Sequence, residues 1–408
     1  MIRLNSIVIY LFVFIVSYLI FFPIFNRVGI HISWIDEMVV LLLGVLLFSR
    51  KDAWRNKELL CCMLFMFSYL IYSLIKKENV SKAAFFDFIV FLKPCVSFYA
   101  AYLVSVNISQ KMSYCLRSIS LIMGAMCWLF AFSLPFFSIN TRELYPISLL
   151  SALSFLYFSK ESKKNYLIAF TFMLPSLLIM IFLGNNEIRS KFICEFVLFV
   201  FLFFFLRNKV KIRIKWIIAG FAVLSLMLYL NWNKFHHYFI ENSDTVARTV
   251  LYKNAFVVER DYFPFGPGFG TYASEAAARY YSPLYYKYGL YQVWGLSPQS
   301  YGKTGFNFLN DTFYPILAQF GIMGVLMWIL FWGKHWKEAK KKLTMHDYRL
   351  FLFAFGVMTI QCIAANTFTG AIGIPYMMII GFVLNKKIGK NTIKEKQAYE
   401  FIEYKRNP

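Results

Sequence analysis

The sequence predicts an all-α, polytopic membrane protein. Hydrophobic residues make up 59% of its 408 residues and mean hydropathy is +0.55, well above the balance of a soluble domain. Apolar runs of about 20 residues, enough to cross a hydrocarbon layer as a helix, recur along the chain. Lys and Arg gather in short stretches between those runs, and one long polar stretch interrupts them late in the chain. Strands of a membrane barrel would be roughly half that length and would alternate in polarity.

By that length criterion there are about 12 spans, centred near residues 15, 40, 67, 95, 127, 151, 174, 199, 223, 322, 359 and 378. Residues 1–231 carry the first nine, 232–311 form the long loop, 312–385 carry the last three, and 386–408 form a basic tail. The first run is followed by bulky Phe22-Pro23-Ile24-Phe25 rather than a small-residue cleavage site, so it reads as a retained span.

Formal charge is +22. No nucleic-acid-binding motif accompanies it, and most of the excess sits where it orients spans and meets anionic lipid. Basic turns at Arg50–Lys57, Lys160–Lys164, Arg207–Lys215 and Lys334–Arg349 fall on one side if both termini are cytoplasmic. The 232–311 loop is then outside. Lys76, Lys77 and Lys82 break the pattern: either the span count slips there, or they attract something anionic on the outer face.

The seven cysteines lie in or beside apolar runs, and adjacent His236 and His237 diverge on any regular element. No disulfide framework, metal site or cofactor is expected.

Several polar residues stand out. Asp36-Glu37 opens the second span, where the headgroup region is the ordinary place for such a pair. Lys93 sits mid-span beside Pro94, which removes a helical donor and opens the helix locally. A lysine at that depth snorkels, finds an acid such as Asp87, or faces an anionic group in a central cavity. Glu187 and Arg189 lie at the mouth of the eighth span, where an arginine anchors to headgroups or forks onto a diphosphate.

In the long loop, residues 244–261 predict a helix capped by Asp244-Thr245, with Arg248 in its first turns. Next comes Pro264-Phe265-Gly266-Pro267-Gly268-Phe269-Gly270. Gly266, Gly268 and Gly270 permit tight turning and close backbone approach to a ligand. Tyr280, Tyr281, Tyr285, Tyr286 and Trp294 follow, suited to sugar faces and equally to the membrane interface. Asn310-Asp311 stands over the mouth of the next span, ahead of Phe320-Gly321-Ile322-Met323-Gly324.

Arg189 before a span, Arg248 heading an outer helix, the glycine turn, and the polar pair before F-G-I-M-G together resemble the O-antigen polymerase and O-antigen ligase superfamily. The likeness covers roughly residues 180–330 in motif and the whole chain in topology. It implies a GT-C-like membrane glycosyltransferase of the bacterial inner membrane, with a periplasmic active site. The implied partners are undecaprenyl-diphosphate-linked glycan donor and acceptor, membrane lipids and a chain-length regulator protein.

By motif, Arg189 and Arg248 correspond to the family's diphosphate contacts, and Lys93 adds charge of the same sign. Ligases of this family carry a catalytic histidine in a His-Asn pair at the span entrance, where this chain has Asn310-Asp311. Asparagine takes no proton, so the departure favours the polymerase branch, with Asp311 first and Glu187 second for orienting the acceptor hydroxyl. A lipid-linked oligosaccharide flippase is the alternative of another class. Such transporters often show two related halves with paired broken helices, a repeat this chain lacks.

Overall fold

The computed structural model describes residues 4–27, 34–103, 110–137, 141–182, 186–206, 232, 236–241, 244–300, 313–363 and 365–386. Every regular element among them is helical. The first nine helices are α1 Leu4–Arg27, α2 Ile35–Phe48, α3 Lys51–Arg55, α4 Lys57–Lys76, α5 Ser81–Leu103, α6 Gln110–Phe137, α7 Thr141–Phe158, α8 Lys163–Phe182 and α9 Asn186–Val200. The long loop contributes α10 Ala247–Asp261, α11 Glu275–Arg279 and α12 Pro283–Lys287. The chain then forms α13 Phe313–Ile316, a tight turn Leu317–Phe320, α14 Gly321–Lys342, α15 Met345–Cys362 and α16 Gly373–Asn385.

Each expected span centre falls inside one of these helices except the one near residue 223, which lies outside the described residues. Among the described residues, four stretches are long and apolar enough to cross a membrane: Lys57–Lys76, Ser81–Leu103, Met112–Leu129 and Phe313–Lys342. Ile147–Phe158 and Gly373–Asn385 are apolar but shorter.

Local sequence sets several boundaries. Asn56 caps α4 by accepting the Leu59 N–H at 2.9 Å, and Lys77 ends it in a left-handed conformation. Thr344 and Asp347 cap α15 reciprocally: the Thr344 hydroxyl accepts the Asp347 N–H at 3.2 Å and donates to its carboxylate at 2.9 Å. The expected cap of α10 is corrected. The helix starts at Ala247 from Val246, with no side-chain cap, and Asp244 instead pairs with Lys253 at 2.9 Å. Pro94 does not interrupt α5, which runs unbroken from Ser81 to Leu103.

α5 is the central helix. Two-thirds (67%) of its apolar window is buried, against 28% for α4 and for the α6 window. It packs most extensively on α16, where Gly381 lies directly on the Phe98 carbonyl and Ala101. Outward residues of α4 such as Leu64, Phe67, Ile71 and Ile75 are exposed, an apolar belt that suits lipid rather than water.

Among the described residues, the basic stretches at Lys160–Lys164 and Lys334–Arg349 share one end of the bundle. Arg349, in the first turns of α15, pairs with Glu161 in the α7–α8 turn at 3.0 Å and donates to the Leu206 carbonyl after α9. Lys386 pairs with Asp347 there at 2.6 Å. The turn after Lys76-Lys77 lies at the other end, with the long loop: Glu78 accepts the Tyr262 hydroxyl at 3.1 Å and Asn79 donates to the Gly270 carbonyl at 2.5 Å. Lys76 and Lys77 therefore sit at the end of the bundle that carries the long loop.

Candidate functional site

Three segments singled out in the sequence pack against the C-terminal half of α15 and Ile363 just beyond it. First, α9 packs along α15, where Phe199 meets Phe353 edge-on at 5.3 Å and Gly356 lies against Leu198. The first turn of α9 carries Glu187 and Arg189, whose side chains lie outside the described residues.

Second, the start of α10 docks at the end of α15. Tyr252 donates its hydroxyl to the Ile363 carbonyl at 2.7 Å. Half-buried Arg248, one helical turn earlier on the same face, is close enough for its charge to act on Tyr252. Third, the chain re-enters at Phe313-Tyr314, where Tyr314 donates to the Thr359 carbonyl at 3.2 Å. Phe313 is buried among Phe91, Trp328 and Phe368, at 6.3, 5.2 and 4.8 Å between ring centres. Asn310 and Asp311 themselves lie outside the described residues.

The glycine turn approaches protein rather than open space. Tyr72 donates to the Gly266 carbonyl at 2.9 Å, and the Gly268 N–H donates to the Gln319 carbonyl at 2.8 Å. The Phe269 N–H donates to the Ser73 hydroxyl at 2.8 Å, and the Gly270 N–H to Asp87 at 2.8 Å. Gly270 has φ +71°, and a Cβ there would lie 2.7 Å from the Ala83 carbonyl. Gly266, Gly268 and Gly270 thus seat the loop in a slot between the α4–α5 hairpin and the re-entry segment.

Lys93 requires a correction. Its ammonium pairs with Asp36 at 2.7 Å and with Glu37, not with Asp87, and its charge is already matched inside the bundle.

The loop aromatics divide. Tyr285 is fully buried, stacked on Tyr272 at 6.3 Å, and its hydroxyl accepts the Ala273 N–H at 3.0 Å, so it serves packing rather than a sugar face. Tyr281 donates to the Leu296 carbonyl at 2.9 Å, and burial pushes its hydroxyl up to about 12. Tyr280 is half-buried, whereas Tyr286 is 55% exposed and Trp294 64% exposed.

A polar aromatic knot fixes this region to α10. Tyr288 donates to Asp261 at 3.1 Å, while Lys287 donates to the Tyr262 hydroxyl at 3.1 Å and lies over that ring at 4.5 Å. Hydrogen bonds from Arg260 and Tyr288 hold the Asp261 carboxyl below its ordinary value. Burial and then the bond to Asp261 push the Tyr288 hydroxyl up to about 12.

Two carboxylates were not selected from the sequence. Asp87 is 1% exposed and binds both the glycine turn and Gln319. Glu195, fully buried in α9, acts on Tyr376 of α16. The available signal was an acid inside an apolar run, which is costly in lipid unless it faces a partner. Among the described residues no His, Cys, Asp and Glu group has the arrangement of a metal site. The sequence matches no family model and no curated protein.

Proposed function

We propose that this chain is a membrane-embedded polysaccharide polymerase. It joins undecaprenyl-diphosphate-linked oligosaccharide units on the periplasmic side of a bacterial inner membrane. The observation that supports this reading most is that the Arg248 helix, the helix whose first turn carries Arg189, and the segment following Asn310-Asp311 all pack against the C-terminal half of α15 and Ile363 beyond it. These segments are far apart in sequence, and each was selected for one part of a single transfer reaction.

In that reaction the acceptor hydroxyl oxygen bonds to the donor's anomeric carbon, and the bond from that carbon to the diphosphate oxygen breaks. Arg248 and Arg189 stabilise the negative charge that develops on the departing lipid diphosphate. Asp311 orients the acceptor hydroxyl and takes its proton, with Glu187 as the second candidate. Lys93 is left out of this reading, because Asp36 and Glu37 pair with its ammonium. The bundle holds donor and acceptor lipids side by side, so that proximity supplies much of the rate.

The test is the surface-glycan ladder of a deletion strain. Loss of a polymerase leaves lipid A-core bearing a single repeat unit, which is the expected result. Bare core with accumulated lipid-linked polymer would reassign the chain as a ligase. Units retained on the cytoplasmic face would reassign it as a flippase.

A further inference from the structure

Beside the proposed reaction site, the outer loop contains a cleft of about 650 Å³ that nothing above assigns. One wall is α10 and the residues before it, contributing Asp244, Lys253 and Asn254. The other is the turn 288–294, contributing Tyr288, Gln292 and Trp294. The hydrogen bond from Tyr288 to Asp261 and the packing of Lys287 on Tyr262 tie the two walls together. The cleft is thus formed by the fold before any ligand enters.

Its chemistry is that of a saccharide site. Trp294 is 64% exposed and offers a broad ring face for stacking on a pyranose. Asn254 and Gln292 carry amides whose oxygens can accept; each nitrogen already donates one hydrogen, to the Val250 carbonyl and the Tyr291 hydroxyl, and keeps a second for a sugar hydroxyl. The charged side chains of the lining, Asp244 and Lys253, pair with one another at 2.9 Å, so the cleft presents no net charge. The volume lies in the range of sites for ligands larger than a single sugar.

Its position is equally informative. Val250, Lys253 and Asn254 line the cleft on one face of α10, while Arg248 and Tyr252 occupy the opposite face, toward Ile363. A helix with its side chains is about 10–12 Å across, a span that an oligosaccharide bridges and a monosaccharide does not.

We propose that this cleft is a holding subsite for uncharged sugars of the growing chain, several residues from its reactive end. The proposal rests on the polymerase reading for the identity of the chain. Retaining the polymer here between additions raises its effective concentration at the reaction site.

Binding is tested on full-length protein in nanodiscs, titrated with the delipidated oligosaccharide that mild acid releases from the encoding strain's surface polysaccharide. Saturable binding that persists at high salt is expected. Trp294→Ala weakens it roughly five- to tenfold, the loss of one ring contact, whereas Trp294→Phe keeps most of it. Overturning results are no binding, binding abolished by salt, or binding equal in wild type and Trp294→Ala. A component of brominated-lipid quenching that is lost in Trp294→Phe would give the cleft to the membrane and also overturn the proposal.

The ladder separates the two readings. In a complemented deletion strain, Trp294→Ala is expected to shorten the modal chain roughly twofold or more. An unchanged ladder from Trp294→Ala would sink the holding role while the polymerase stands. Conversely, an intact ladder in the deletion strain, with Trp294-dependent binding, would keep the saccharide site and remove the polymerase.

Discussion

One oxygen of Asp87, Oδ2, accepts hydrogen bonds from both the Gly270 N–H and the Gln319 side-chain amide, each at 2.8 Å. Asp87 belongs to α5, Gly270 to the long loop and Gln319 to the segment that follows it, so a single carboxylate fixes three parts of the chain. Asp87→Ala leaves two buried donors without their acceptor, at about 1–3 kcal/mol for each unsatisfied group. A lowered thermal midpoint in detergent is expected, with Asp87→Asn less affected because one acceptor oxygen remains. An unchanged midpoint in Asp87→Ala would show that the loop is held elsewhere.

Two glycines of the loop should respond differently. Both have left-handed backbone, φ +71° at Gly270 and φ +67° at Gly289. A Cβ at Gly289 meets nothing within 4 Å, so Gly289→Ala incurs only the backbone strain, about 1–2 kcal/mol. Gly270→Ala adds a collision with the Ala83 carbonyl and carbon. Membrane abundance and thermal midpoint should therefore fall clearly further for Gly270→Ala; equal losses would contradict the tight seating of the turn.

Lys93 is expected to behave as an internal counter-ion. Lys93→Met leaves Asp36 and Glu37 together without a cation, and breaking a buried pair this way costs about 3–5 kcal/mol. The triple variant Lys93→Met, Asp36→Asn, Glu37→Gln should recover much of the stability and support polymerisation. A stable triple variant without activity would return Lys93 to the diphosphate site.

The turn after Lys76-Lys77 and the long loop share one end of the bundle, where Glu78 and Asn79 bond to Tyr262 and Gly270. Single cysteines placed in that turn and near Tyr280, in a background without the native thiols, should both label with an impermeant reagent from the periplasmic side. Labelling of only one of the two would break the arrangement.

Arg248→Ala should nearly abolish polymer formation with protein levels intact, and Arg248→Lys should restore only part of it, because lysine lacks the planar fork. The measurement is ladder intensity against membrane-bound protein. Full activity in Arg248→Ala would remove the diphosphate role.

The sequence by itself determined the helical class and where the helices lie. Hydrocarbon thickness translates directly into the length of an apolar run, a property of each stretch alone. It also exposed Arg248 and Lys93 as charges in need of a reason. Which reason applies was a matter of tertiary structure. The partners of Lys93 lie 56 and 57 residues away, and those of Asp87 more than 180 away. Tyr285 and Tyr286 are neighbours of one type, yet one is buried and the other faces outward, a difference set by the packing of Tyr272 and Ala273. Hydropathy is carried residue by residue, whereas pairing and burial exist only once distant segments have met.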